Sequence, residues 1–221
     1  MQSSSNKMRT YLRQDSIVFC KTKERFGGLS NMAAGFPIRI NNIDIMTSEA
    51  LYQACRFPHL PEVQQVIIEQ RSPMTAKMKS KAHRKNSRPD WDYVCVKIMR
   101  WCLQVKLAQN WDVFSDLLLS TGEYSIVEES HKDDFWGAKV SDNDILIGRN
   151  LLGRLLMELR TEIKFSDKKL LNKVEPLLIS NFFLFNQPIS TVEKETYLFV
   201  KPPYEYMPNL NPTEKQLSLF S

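Results

Sequence analysis

The sequence predicts an α+β fold, a predominantly α-helical single domain with a small β element. Three observations lead there. Apolar residues recur at helical spacing in most segments after Thr47. A short stretch before Thr47 alternates with the period of two that marks strands. The chain, 221 residues of which 43% are hydrophobic, suffices for one sizeable core plus an appendage.

Residues 1–16 are polar and serine-rich and are expected to form a flexible lead-in. SIVFC, ending at Cys20, is the first strand candidate. The loop RFGGLSNMAAGFP follows, and IRINNIDI then alternates about Asn41-Asn42 as a small hairpin. Thr47 or Ser48 can cap the helix EALYQACRF, which Pro58 and Pro61 close. PEVQQVIIEQ carries its proline early, and Ser72 is expected to cap a third helix with Pro73 in its first turn. The longest helix runs from Asp90 to about Asn110, with Trp91, Val94, Cys95, Ile98, Cys102 and Val105 on one buried stripe. WDVFSDLLLS stops at Thr121-Gly122, SIVEES is a strand candidate, and Asn150 is placed to cap LLGRLLMELRTEI.

These boundaries give a domain over 17–163, a C-terminal extension over 164–200 that packs on it, with LLISNFFLFN as a returning strand, and a proline-rich tail over 201–221. The longest apolar runs fall well short of the roughly 18 residues that span a bilayer, and the N-terminus lacks the apolar centre of a signal peptide. A cytoplasmic address without a membrane partner is expected. Cys20, Cys55, Cys95 and Cys102 are widely spaced, which disfavours disulfides and zinc alike, so neither a metal nor a cofactor is expected.

Three constellations carry chemistry. Glu49, Tyr52, Gln53 and Arg56 share one helical face, which either lines a cleft or is an exposed stripe with a Glu49–Arg56 ion pair. In IVEESHKDDFWGAKV, acids lead into Phe135, Trp136 and Gly137. This suits recognition of a flat base, or it is an acidic turn anchored by a core Trp, with His131 facing solvent. The third is a basic tract: residues 71–106 carry a net charge of +8, although the whole chain carries only +5. There Lys77, Lys81 and Arg84 share a helical face, and Met74 and Met78 are expected to supply an apolar one. Phosphate-cradling Walker loops, GxGxxG and GxSxG are all missing, so nucleotide triphosphate cleavage, dinucleotide redox chemistry and serine hydrolysis lack support.

Read in order, LSNMAAGFP, TSEALYQACRFP, SPMTAK, RPDWD, IMRWCLQVKLAQN, LLLSTG, IVEES, DDFWGA and GRNLLGRLLMELR resemble the NADAR (YbiA-like) family over roughly Phe26 to Arg160. The family cleaves N-glycosidic bonds, some members on ribosylamino-pyrimidine phosphates of riboflavin biosynthesis, others on ADP-ribosylated guanine. The riboflavin-linked branch has Glu-His where this chain has Glu49-Ala50. EALYQACRFPHLPEVQQ and MRWCLQVKLAQN are instead similar to NADAR antitoxins paired with DarT-type toxins that ADP-ribosylate DNA. The resemblance implies a glycohydrolase that acts on ADP-ribosylated DNA, releases ADP-ribose from guanine and has the toxin as functional partner.

Cleaving an anomeric C–N bond needs a carboxylate near the sugar and a proton source. Glu49 is the first choice for the catalytic acid or base, Asp134 the second carboxylate and Glu128 a further candidate. Trp91 and Trp136 are candidates for stacking, although Trp91 also lies on the apolar stripe. Ser30, Asn31, Gly137 and Asn150 match family blocks as sugar or phosphate contacts, with Arg56 beside them. Lys77 or Lys106 could clamp pyrophosphate or trap an opened sugar as a Schiff base. Lys79, Lys81, Arg84, Lys85 and Arg88 would neutralise DNA phosphates. Alternatives are the riboflavin-type glycosidase and a non-catalytic module that binds ADP-ribose or the toxin. The terminal QLSLF, with Gln216, Leu217, Leu219 and Phe220, resembles the peptide by which bacterial repair proteins dock on the sliding clamp.

Overall fold

Local chemistry sets most element boundaries. The computed structural model describes residues 7–142 and 144–194. It opens with two short strands, β1 (Arg9–Leu12) and β2 (Ser16–Phe19). β3 (Ile38–Ile40) and β4 (Ile43–Ile45) form the expected hairpin. Its turn residues Asn41 and Asn42 have φ of 50° and 64°, the left-handed pair that a two-residue hairpin requires. Thr47 caps α1 (Ser48–Ala54), its hydroxyl accepting from the Ala50 amide at 3.2 Å. Prolines in the first turn start α2 (Pro61–Ile68) and α3 (Pro73–Ala82). Ser72 occupies the N-cap position of α3, but its side chain makes no capping bond; its carbonyl accepts from the Thr75 hydroxyl instead.

α4 (Trp91–Gln109) is the axis of the domain. Its Ile98, Trp101, Cys102, Val105 and Ala108 are buried, and α1, α5 (Trp111–Leu119) and α6 (Leu151–Phe165) pack on it. Beyond α5 the chain turns at Gly122, with φ of 57°, into β5 (Ser125–Glu128), which pairs in parallel with β2. α6 lies on β5 so closely that a Cβ on Gly153 would stand 2.1 Å from the Ile126 carbonyl oxygen.

β6 (Lys139–Asp142) and β7 (Ile145–Gly148), for which no strand was expected, form an antiparallel sheet in the order β1-β7-β6. That pairing also corrects the lead-in. Residues 9–12 are a strand because their amides pair with β7 while Tyr11 is buried against Val127, Ala138 and Leu146. The apolar face expected of α3 is likewise absent. Met74 and Met78 are exposed, and the helix buries only the small Ala76 and Ser80, which allow close approach to α1 and α2.

Past α6, the short helix α7 (Lys168–Leu171) leads into the two-residue strands β8 (Lys173–Val174), β9 (Phe183–Leu184), β10 (Gln187–Pro188) and β11 (Val192–Glu193). The strand expected across LLISNFFLFN is thus reduced to Phe183–Leu184, since Asn181, Phe185 and Asn186 adopt left-handed turns. This segment is welded to the domain. Gln64, fully buried, donates to the carbonyls of Ala54 and Phe183 and accepts from the Phe185 amide. Trp101 Nε1 donates to the Glu175 carbonyl at 3.0 Å, and the Trp101 ring meets Phe182 edge to face.

Arg88, expected on the nucleic-acid surface, belongs to the same weld. It is 4% exposed, pairs with Asp90 and donates to the carbonyls of Ser180 and Asn181. Removing a charged donor from buried acceptors leaves them unsatisfied. Arg88→Met is expected to lower unfolding free energy by about 2 kcal/mol in urea titrations, with Lys81→Met changing it by under about 0.5 kcal/mol. Equal stability of the two variants would contradict this assignment.

Candidate active site

All seven residues of α1 are buried, so its polar side chains must find partners inside the protein. Glu49 does so with both oxygens: Oε2 accepts from Asn31 Nδ2 and Oε1 from Gln53 Nε2, each at 2.9 Å. Ser80 of α3 donates in turn to Gln53 Oε1, which fixes the amide in the orientation that faces Glu49. Asn31 Oδ1 is buried without a partner, an acceptor available to a ligand hydroxyl. The reading of this helix face as an exposed stripe fails, because the face is buried. Arg56 is not paired with Glu49; its guanidinium lies 4.2 Å over the Trp91 ring.

The second carboxylate is Glu128, at the end of β5. Burial, reinforced by the charges of Asp133 and Glu49 and opposed by Lys77, pushes its pKa up to about 7. Asp134, the second carboxylate expected from sequence, does not share this environment. It is ion-paired with Lys139 at 2.7 Å, which holds its carboxyl below the usual range. Glu129 is taken by Arg13 at 2.7 Å, and His131 is exposed. Asp133 accepts from the amides of Phe135 and Trp136 at 2.9 Å each, setting the turn that carries the Trp136 ring.

Tyr52 stands between the two candidate stacking residues, with ring centroids 5.1 Å from Trp91 and 5.7 Å from Trp136. Both tryptophans are only partly buried, so each supports the core and leaves surface for a ligand. Lys77 is exposed on α3, and its charge reaches Glu128. Lys106 is 1% exposed: its Nζ donates to the carbonyls of Gly28 at 2.6 Å and Ser30 at 3.2 Å between the rings of Phe36 and Phe114. Desolvation lowers its pKa well below the usual lysine range. This amine braces the loop that carries Asn31 and does not face a substrate, which corrects its expected role.

Three further expected contact residues have structural partners within the domain. The Ser30 hydroxyl accepts from the Met32 amide within its own loop. Gly137 provides close approach, since a Cβ there would sit 2.4 Å from the Glu128 carbonyl oxygen. Asn150, fully buried at φ 48°, makes no capping bond. Its Oδ1 accepts from the Glu128 amide at 3.1 Å and its Nδ2 donates to the Ile126 carbonyl at 2.8 Å, clamping β5 on both sides of Val127. The exposed basic residues Lys79, Lys81, Arg84 and Lys85 remain on the surface beside the site. Gln216 to Phe220 lie outside the described residues. The sequence places Gln53 on the face of Glu49 without identifying it as the donor to that carboxylate, and no sequence signal points to Ser80.

Comparison with known proteins fits this geometry. The NADAR domain model matches residues 18–164. The chain belongs to the NADAR family. Among its relatives, N-glycosidase YbiA of Escherichia coli (strain K12) is 34% identical over 69% of this chain and 92% of its own length. N-glycosidase Npun_R5314 of Nostoc punctiforme is 31% identical over 67% of this chain and 93% of its own. The NMR structure of the E. coli YbiA protein superposes with a TM-score of 0.59 at 32% identity, covering 74% of this chain and 90% of that one. The NADAR match thus ends within α6, and the welded extension that follows lies beyond it. Among the described residues, no helix is long and apolar enough to cross a membrane.

The raised carboxyl of Glu128 has a measurable signature. Its ordinary value is 4.5 and its folded value about 7, so the folded state holds the proton more tightly and loses stability as pH rises between them. Relative to Glu128→Gln, the wild-type chain is therefore expected to become progressively less stable from pH 4.5 to 7 in urea titrations. A difference independent of pH would remove Glu128 as a near-neutral acid.

Proposed function

We propose that this protein is a hydrolase of N-glycosidic bonds that releases ADP-ribose from guanine in DNA, acting as antitoxin and repair enzyme against a DarT-type toxin. The observation that carries the hydrolase reading is the pairing of a buried, amide-held Glu49 with a Glu128 carboxyl that titrates near neutrality. In this mechanism protonated Glu128 gives its proton to the departing nitrogen as the C1′–N bond breaks. Glu49 stabilises the cationic sugar carbon and then accepts a proton from the water that attacks it. Asn31 offers its free oxygen to a sugar hydroxyl, and Trp91 and Trp136 provide stacking faces. Lys77, the exposed one of the two lysines, serves as a pyrophosphate contact or as the amine that captures an opened sugar.

The DNA substrate is supported by Lys79, Lys81 and Lys85, an exposed basic strip that a small metabolite would not require. A second reading, cleavage of a ribosylamino-pyrimidine phosphate, draws on relatives such as the riboflavin biosynthesis protein VVA0006 of Vibrio vulnificus, 31% identical over 71% of this chain and 41% of its own length. Incubating the protein with guanine- and thymine-ADP-ribosylated oligonucleotides, and separately with the pyrimidine riboside phosphate, decides between them by product mass. Free ADP-ribose from the guanine adduct is expected, with Glu49→Gln slower by at least about a hundredfold. Release from neither oligonucleotide would overturn the DNA reading.

The terminal QLSLF is proposed to dock on the bacterial sliding clamp, raising local enzyme concentration at replicating DNA. Deleting Gln216 to Phe220 should abolish clamp binding in surface plasmon resonance and leave oligonucleotide turnover unchanged. Retained clamp binding would refute the docking.

A further inference from the structure

α3 presents to solvent a face that its own packing does not explain. Met74, Lys77, Met78 and Lys81 follow one another at i, i+3, i+4 and i+7, so they form a single stripe. All four are exposed, with Met74 at 58% and Met78 at 63%, whereas the helix buries Ala76 and Ser80 on its other side. A methionine on a helix surface gains nothing over a lysine or glutamine in helix propensity. Two thioethers one turn apart, roughly 6 Å along the axis, are therefore apolar surface kept in water among cations.

The surroundings of the stripe favour a polyanion. From Arg71 to Arg88 the chain holds no aspartate or glutamate. Lys79, Arg84 and Lys85 are exposed on the same helix and on the turn after it. A side-chain relay ties this helix to the site: Ser80 donates to Gln53 Oε1, and Gln53 Nε2 donates to Glu49 Oε1 at 2.9 Å. The stripe thus lies about one helix diameter, about 10–12 Å, from the amide that holds Glu49. About three nucleotides cover that span at roughly 3.4 Å each. A phosphate backbone satisfies the lysines but leaves the thioethers without a partner. The flat face of an unpaired base supplies one, because the polarisable sulfur of methionine packs favourably against aromatic rings.

We infer that Met74 and Met78 are a base-contact surface for the unpaired nucleotides that flank the one being cleaved, with Lys81 beside them on the backbone phosphates. The inference rests on the DNA reading of the proposed function for its partner, and it narrows that reading. In a paired duplex each base face is covered by its stacked neighbours, so the stripe favours a single strand. It also gives a task to the two methionines that helical periodicity alone would have placed in a core.

Fluorescence anisotropy of the full chain with two labelled strands of equal length tests it, one an oligothymidylate and the other an abasic strand with the same phosphates. The oligothymidylate should bind at least about fivefold more tightly. Met74→Ser combined with Met78→Ser should bring the two strands within about twofold, with the salt dependence of binding unchanged because the phosphate contacts remain. Met74→Leu combined with Met78→Leu should retain most of the preference, and Lys81→Gln should weaken both strands alike. Both methionines are exposed, so the serine variant should melt at the wild-type temperature. Wild-type binding that is equal on the two strands, or absent on both, would overturn the inference, as would an unchanged preference in the serine variant. Binding to phosphatidylserine vesicles alone would overturn it in favour of a membrane surface. The strands carry no ADP-ribose, so a failure to release ADP-ribose from DNA would count against the proposed function and not against the base contact.

Discussion

A carboxylate removed from water must have both oxygens satisfied, and meeting that requirement at Glu49 organises much of this protein. Its two donors come from opposite directions, Asn31 from the glycine-rich loop and Gln53 from the next turn of α1. Each donor needs support of its own. Ser80 orients Gln53, which requires α3 to approach α1 over small residues. Lys106 secures the Asn31 loop by gathering the carbonyls of Gly28 and Ser30, so the central helix reaches the site through a core lysine.

Glu128 faces the opposite problem. Its backbone is immobilised by Asn150 and by the close pass of Gly137, while its carboxyl is left without an opposing cation strong enough to offset burial. The result is two carboxyl groups within electrostatic reach of each other, one held by amides and the other inclined to keep its proton. Such divergence is how a site performs acid and base chemistry near neutral pH. The NADAR framework therefore supplies rigid backbone to both acids from elements that are distant in sequence.

The C-terminal extension shows a different use of the same physics. Its two-residue strands have little stability alone. They persist because Gln64, Arg88 and Trp101 donate to their carbonyls and Phe182 packs on Trp101. Gln64 and Arg88 also touch the ends of α1 and its neighbouring turn. The extension thus stiffens the back of the helix that carries Glu49.

Helices, the asparagine hairpin and the polar face of α1 were legible in the order of residues, because periodicity, capping and turn preferences act over a few positions. Glu49 follows from its helical face and Trp136 from the acids beside it, whereas Asn31 and Trp91 follow from the family resemblance; the four do gather in space. Four other assignments depended on contacts the chain order does not reveal. Asp134 and Glu128 lie six residues apart in one acidic segment, yet an ion pair with Lys139 claims one and burial isolates the other. Lys77 and Lys106 are both helical lysines, but only packing around α4 seals Lys106 away. Asn150 reads as a cap and acts as a clamp; Arg88 reads as a surface cation and is a buried staple. Local pattern chose the elements, whereas solvent access and long-range partners assigned each charged group its protonation and its role.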